Sequence, residues 1–298
     1  MPITSSVRSR GDLCPGVFRP WPADDGALVR LRLVGGRLAP RSLTALSELA
    51  VEYGDGDVHL TRRANLQLRG LPTREQALAP EVVEAIVATG LLPSRTHELV
   101  RNVMVSPQSG LSGGRADLRP VAAELDERLC ADERLAGLSG RFLFVLDDGR
   151  GDLVDRSTDL GLVALDETTA QLRVGSSGWG PVVALPRAAE ALTALALSFL
   201  DARGTGPDAA WHVDELSEPL GRDVLRHPAT RVSGPALPYG PVDGGEHVAA
   251  PAGVVDPALA AHLAGLVPGL AHGLVAGHHR ELVVTPWRGV LVPSEESR

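Results

Sequence analysis

The chain of 298 residues has no lysine, only two cysteines and few aromatics: four Trp, two Tyr and four Phe. Each scarcity removes a class of answer. Cys14 and Cys130 are too few and too far apart for a disulfide framework or a four-thiolate metal site, so a reducing, cytoplasmic setting is the expectation. Few aromatics leave few flat platforms for stacking bases. A formal net charge of −8 supplies no general basic face for displacing counterions from phosphates, so no nucleic-acid partner is expected. The opening MPITSSVRSR lacks the apolar stretch of a signal peptide, and no uninterrupted apolar run reaches the roughly 18 to 20 residues of a membrane span, so no membrane partner is expected either. The most apolar stretch, 188–200, contains Glu190 and reads as a core helix.

What is present is aliphatic. With 44% hydrophobic residues the chain can bury a real core, and its length suits about two domains. Every fixed cation is an arginine. A compositional bias explains that choice most simply, yet it also equips the chain with planar forks suited to carboxylates.

The pattern is organised as two similar blocks around a different middle. After the Pro-rich CPGVFRPWP, the Asp24-Asp25-Gly26 turn leads into an alternating run from Ala27 to Val34, a strand with Arg30 and Arg32 on one face. Gly35-Gly36 ends it. Pro40 opens a helix carried by Leu43, Leu46, Leu49 and Ala50, and DVHLTRRANLQLRG supplies two extended pieces around Arg62-Arg63, giving β-α-β-β. The same order returns near the C-terminus. A strand over 247–250, Gly253, the helix start Asp256-Pro257 with Leu259, Leu263 and Leu266, and the paired strands of ELVVTPWRGVLVP repeat it, with Val284-Thr285-Pro286-Trp287-Arg288 in the place of Leu60-Thr61-Arg62-Arg63. Between them, RFLFVLDDG, LGLVALD and QLRVGSSG read as strands and 118–131 and 187–201 as helices. Residues 204–241, rich in Pro, Gly and charge, read as connecting chain.

Arg30, Arg32, Arg63, Arg69, Arg101, Arg141 and Arg288 sit at or beside strand ends, where a guanidinium must reach water, meet a carboxylate or line an anion pocket. Singly, each is an ordinary solvated or locally paired arginine. Their motifs say more. LVRLRLVGGRL, LTRRANLQLRG and VRNVMVSPQSG, in this order and spacing, resemble three consecutive anion- and tetrapyrrole-contacting segments of the sulfite and nitrite reductase superfamily. CPGV, GRFLFVLDDG and TPWRG resemble the precorrin-3B synthase family within it, and together these segments cover most of the chain.

The resemblance implies an α+β fold: two ferredoxin-like β-α-β-β repeats forming a pseudo-symmetric domain, plus an inserted α+β domain of the nitrite/sulfite reductase type. The boundaries expected are 14–92 for repeat 1, 93–215 for the inserted tetrapyrrole domain, 216–240 for a linker and 241–298 for repeat 2. It implies a tetrapyrrole (precorrin) or other anionic ligand held by Arg30, Arg32, Arg63, Gln67, Arg101, Asn102 and Arg141, and an oxidoreductase, monooxygenase-like activity on precorrin-3A in cobalamin biosynthesis. Asn65 and Asn102 could orient the neighbouring arginines, although Asn at such places is commonly turn chemistry. On this reading Arg63→Ala and Arg101→Ala weaken binding without unfolding the protein.

Two departures bear on that implication. The second of two basic residues that the reductases place near their anion falls here on Leu143, which speaks against sulfite or nitrite reduction. The family also carries C-x5-C and C-x3-C motifs for a 4Fe-4S cluster beyond the TPWR segment, and haem-type or non-haem iron; here ten residues follow Arg288 and neither cysteine fits. The expectation is the N-terminal part of a split or truncated enzyme, its cluster-bearing half supplied separately; the alternative is a non-catalytic tetrapyrrole- or anion-binding relative. A decaying reading frame is a third possibility, to be seen as a bare apolar face. No metal site is assigned, although His272, His278 and His279, or His212 with Asp214 and Glu215, contain ligand types for iron. Trp21 or Trp179 could cover a flat ring.

Overall fold

The computed structural model describes residues 12–221, 224–267 and 281–294. These divide into two compact units, a terminal unit from Pro15–Glu98 with Leu237–Arg298 and a central unit from Leu99–Ala236 with the segment up to Cys14.

In the terminal unit, β1 (Trp21–Ala23) and β2 (Gly26–Leu31) form a hairpin around Asp24-Asp25. Gly26 is required there: its φ is +121°, and a Cβ would lie 2.7 Å from the carbonyl carbon of Gly70. After the two-residue β3 (Arg37–Leu38), Pro40 starts α1 (Pro40–Tyr53), its fixed φ suiting the first helical turn. Leu43, Leu46, Leu49 and Ala50 form the buried stripe of that helix, and β4 (Val58–Leu60) and β5 (Leu66–Leu71) follow. A short hairpin, β6 (Thr73–Arg74) with β7 (Ala77–Leu78), leads to α2 (Pro80–Ala88).

The central unit holds a five-stranded sheet. Its strands are β8 (Val103–Val105), β9 (Phe144–Asp147), β10 (Leu160–Ala164), β11 (Thr169–Val174) and β12 (Gly178–Ala184), adjacent in that order, with β9 parallel to both neighbours. Two helices, α3 (Arg119–Ala131) and α4 (Ala188–Ala202), coincide with the helical stretches read from the sequence. On the helical side Phe142 stacks against Phe144 and Phe199, with centroids 5.3 and 5.0 Å apart. The opposite parity places Leu143 and Val145 with Met104 and Leu153 in a smaller apolar cluster.

The stretch read as connecting chain is a strap tied to this sheet. Val224 N–H donates to Trp179 O at 3.0 Å, Gln171 brackets the strap through Leu225 O (2.9 Å) and His227 N–H (2.7 Å), and Gly234 N–H reaches Gly151 O at 2.9 Å. Pro and Gly marked irregular backbone there; the partners that anchor it lie about 50 residues or more away in sequence, beyond any local signal.

The terminal unit then resumes with β13 (Gly240–Val242), β14 (Gly245–Ala249), β15 (Val254–Val255), α5 (Pro257–Gly265), β16 (Leu282–Val284) and β17 (Gly289–Pro293). Asp256 caps α5 by accepting from Leu259 N–H at 2.7 Å. The two halves exchange their shortest strands: β3 pairs with β16, and β15 pairs with β4. Two five-stranded sheets result, β1-β2-β5-β4-β15 and β13-β14-β17-β16-β3, sharing one core with α1, α2 and α5. The expected α+β architecture with two β-α-β-β repeats is what the chain forms. Among the described residues, no helix is long and apolar enough to cross a membrane.

Candidate functional site

The duplication fixes the local geometry of the first arginine group. In the first half, Thr61 N–H donates to Asn65 O (2.9 Å), Ala64 N–H to Thr61 O (3.1 Å), and the Thr61 hydroxyl accepts from Asn65 N–H (3.1 Å), with Ala64 at φ +55°. In the second half, Thr285, Arg288 and Gly289 repeat all three bonds at 2.9, 3.1 and 3.2 Å, with Arg288 at φ +63°. Threonine serves both turns because its hydroxyl closes the loop that the backbone alone leaves open.

On β2, Arg30 lies directly opposite Gln67 of β5 and donates Nη2 to its Oε1 at 3.3 Å. Arg32 is 3% exposed and donates Nη1 to the carbonyls of Pro15 (3.1 Å) and Arg30 (3.2 Å). The Pro15–Phe18 segment is held in addition by buried Glu98, whose carboxylate accepts from Val17 N–H (2.6 Å) and Phe18 N–H (3.0 Å). Arg63 is half-buried in the Thr61–Asn65 turn, its own N–H meeting the Thr61 hydroxyl at 3.3 Å. Asn65 is buried and accepts from Leu33 N–H at 2.9 Å, so it braces the strand behind the arginines. The terminal unit therefore brings Arg30, Arg32 and Gln67 together, with Arg32 partly spent on the fold. Arg69 pairs with Asp25 at 3.1 Å.

In the central unit, Arg101 is 7% exposed and makes a bidentate pair with Asp126 of α3, Nε to Oδ1 at 2.6 Å and Nη2 to Oδ2 at 2.7 Å. Removing Arg101 would therefore leave Asp126 without its counter-charge. Asn102 donates to Leu99 O (3.2 Å) and Gly140 O (2.9 Å), fixing the chain beside Arg141. Arg141 is exposed just ahead of β9, 5.8 Å from the Trp211 ring centre, whereas Leu143 packs into the small apolar cluster.

Two features escaped sequence reasoning. Asp126, 25 residues from Arg101, gives no local signal; the DDGRGD run does. Asp147, Asp148 and Asp152 offer oxygens within 4.8 Å of one another, the only such metal-capable group among the described residues. Asp147 accepts the N–H groups of Gly149, Gly151 and Leu153 at 2.8, 3.0 and 2.9 Å, Asp148 pairs with Arg150 at 2.7 Å, and Asp152 accepts from the Ser106 hydroxyl at 2.7 Å. These engagements make the trio a clasp for its loop. Burial, then repulsion from Asp147, pushes the Asp152 carboxyl up to about 7, so it holds a proton near neutrality.

The histidine groupings resolve differently. His272, His278 and His279 lie outside the described residues. His212 faces Asp159 at 3.2 Å, Asp214 takes the N–H and hydroxyl of Ser176, and Glu215 takes Trp211 N–H at 2.7 Å, so the three are committed to separate partners. Cys14 is buried and Cys130 half-buried, its thiol pushed up by burial and by Asp126. A 4Fe-4S cluster needs four thiolates, and the two cysteines of this chain do not fit it. Trp21 is 38% exposed on β1, and Trp179 is half-buried beneath the strap.

A family described as the nitrite/sulfite reductase ferredoxin-like half domain matches residues 22–86, the stretch that carries Arg30, Arg32, Arg63 and Gln67. The chain is similar to a precorrin-3B synthase from Sinorhizobium sp, 33% identical over 160 residues that make up 50% of this chain and 32% of that protein. A ferredoxin–nitrite reductase from Synechococcus elongatus is 31% identical over 134 residues, 43% of this chain and 26% of the relative. The NirA protein of Mycobacterium tuberculosis shares the fold, with a TM-score of 0.68 at 18% identity over 93% of this chain and 58% of that one. The matched stretches thus span between a quarter and a third of the length of these curated relatives.

Proposed function

We propose that this chain is the ring-binding part of a precorrin-3B synthase-type system, holding an anionic tetrapyrrole through its arginines. The observation that carries the reading is the coincidence of the half-domain match with the Arg30–Gln67–Arg32 grouping and the Arg63 turn. Precorrins and sirohaem are ringed with carboxylates, and each charge-assisted hydrogen bond from a guanidinium contributes about 1.5–3 kcal/mol. Arg30 and Arg63, half-buried, present their forks to ring carboxylates. Gln67 fixes the Arg30 side chain, and Arg32 holds Pro15 in place beneath them. Asn102 orients Arg141 in a second group on the central unit, and Arg101, already neutralised by Asp126, contributes orientation more than charge.

Oxidation of precorrin-3A by this system requires the cluster-bearing half from another chain or segment, because the residues present do not supply its ligands. A second reading, a tetrapyrrole- or anion-binding protein without catalysis, draws on the same cysteine count and on the Arg101–Asp126 pair. Anaerobic titration of the chain with sirohaem or a precorrin, read in the visible spectrum, tests both. Saturable binding, with turnover only when a four-cysteine partner chain is added, supports the split enzyme. Binding without turnover under any addition supports the second reading, and no binding removes both.

A further inference from the structure

We propose that Arg173, Arg226 and Trp179 of the central unit form a second, separate site for a small oxyanion or carboxylate. Arg173 lies on β11 and is 4% exposed. Its Nη2 donates to two carbonyls, Arg156 O and Ser176 O, each at 3.2 Å, while its Nη1 is buried and meets no acceptor among the described residues. Arg226, on the strap, donates Nε to the Thr230 hydroxyl at 3.1 Å and Nη2 to Thr230 O at 2.7 Å. Both guanidinium carbons sit near the Trp179 ring, at 5.8 Å for Arg173 and 4.8 Å for Arg226.

Two cations thus share one indole, and among the described residues neither forms an ion pair. In the same unit, Arg101 is matched by Asp126 and Arg150 by Asp148. The chain has 37 carboxylate side chains, so a counter-ion was available to place. A buried guanidinium without one costs several kcal/mol, of which contact with a tryptophan face returns about 2 kcal/mol at most. Burial, with the charge of Arg226 acting in the same direction, lowers the proton affinity of Arg173, against partial relief from Asp147, Asp155 and Asp214 at a distance. A bound anion removes the imbalance by accepting from Nη1 and neutralising both cations.

The surroundings allow approach. Ser176 and Ser177 are exposed beside the strand end, Trp179 is partly exposed, and Leu225 on the strap is 93% exposed. Neither arginine belongs to the motifs assigned to ring binding, so the free-anion form of this site is independent of that reading, and only its ligand-arm form rests on it. A free inorganic anion and a carboxylate arm of a larger ligand share the required chemistry.

The test is calorimetric titration of the full chain with inorganic phosphate at constant ionic strength, alongside a titration with sirohaem. If the anion is free, phosphate binds saturably, and Arg173→Gln and Arg226→Gln each weaken it about tenfold. Trp179→Phe retains the heat but loses any change in tryptophan emission. If the anion is a ligand arm, phosphate is inert and the same variants weaken sirohaem about tenfold. Binding of neither ligand by the unaltered chain, or unchanged affinity for both in Arg226→Gln, overturns the proposal. That variant lies in the half-buried strap and carries the test even if Arg173→Gln fails to fold.

Discussion

In the first half of the terminal unit the strand position opposite Gln67 carries Arg30; in the second half the matching position opposite Leu291 carries His247. The turn that follows differs in the same sense, with Arg63 in one half and Trp287 in the other, on backbones whose hydrogen bonds agree within a few tenths of an ångström. His247 is buried, bonded to Pro238 O (3.0 Å) and the Thr285 hydroxyl (2.9 Å), and covered by Tyr239 with ring centres 4.6 Å apart; burial pushes its pKa down, so it is neutral. One scaffold therefore bears a cationic face in its first half and a neutral aromatic one in its second. The backbone duplication sets where side chains emerge, and the substitutions at equivalent positions set the charge of each half; under the proposed function the first half holds the anion.

The exchanged strands give the most severe way to break the comparison. Gly36 has φ +72°, and a Cβ there would lie 2.1 Å from Val284 O; at the equivalent Gly253, φ is +80° and the nearest backbone atom, Leu60 O, is 3.3 Å away. Gly36→Ala is expected to cost about 3 kcal/mol or more, and Gly253→Ala about 1–2 kcal/mol, measured by urea unfolding. Equal costs would show that the two exchanges are not equivalent in the way described.

The central unit sharpens the same point, since Arg101 there is charge-matched by Asp126 whereas Arg30 of the first repeat donates to the neutral Gln67. Arg101→Ala is expected to destabilise by about 3 kcal/mol, and the double variant Arg101→Ala with Asp126→Ala by less than the single one. Asp152 adds a pH dependence. Its proton is held up to about pH 7 in the folded state but only to about 3.8 when unfolded, so its stabilising contribution is complete below the lower value and is lost as pH rises through the higher. Asp152→Asn should therefore flatten the stability profile between pH 4 and 7 and raise stability at pH 8 by about 2 kcal/mol, checked by melting across that range. The smallest effect returns to the paired turns: Arg288→Gly relieves a positive φ and should stabilise by about 0.5–1 kcal/mol, as should Ala64→Gly, in thermal melts.

Much of this architecture was legible because it rests on local chemistry. The leucines of α1, the Pro and Gly boundaries and the Thr-led turns repeat at fixed spacing, which exposes the duplication. The strand exchange was not legible, since β3 and β15 are two residues each and carry no periodicity. The candidate site was legible only in part. Motifs located the arginines, but their neighbours Asp126, Glu98 and Thr230 are chosen by tertiary contact, and these separate a structural arginine such as Arg101 from one with donors to spare such as Arg173.

The central claim is that the first half, and not its structural twin, binds the tetrapyrrole. It is tested most directly by titrating sirohaem into four forms of the chain: unaltered, Arg30→Ala, Arg63→Ala and Trp287→Ala. The account predicts about tenfold weaker binding for each arginine variant and unchanged affinity for Trp287→Ala. Loss of affinity in Trp287→Ala with both arginine variants unaffected would contradict it.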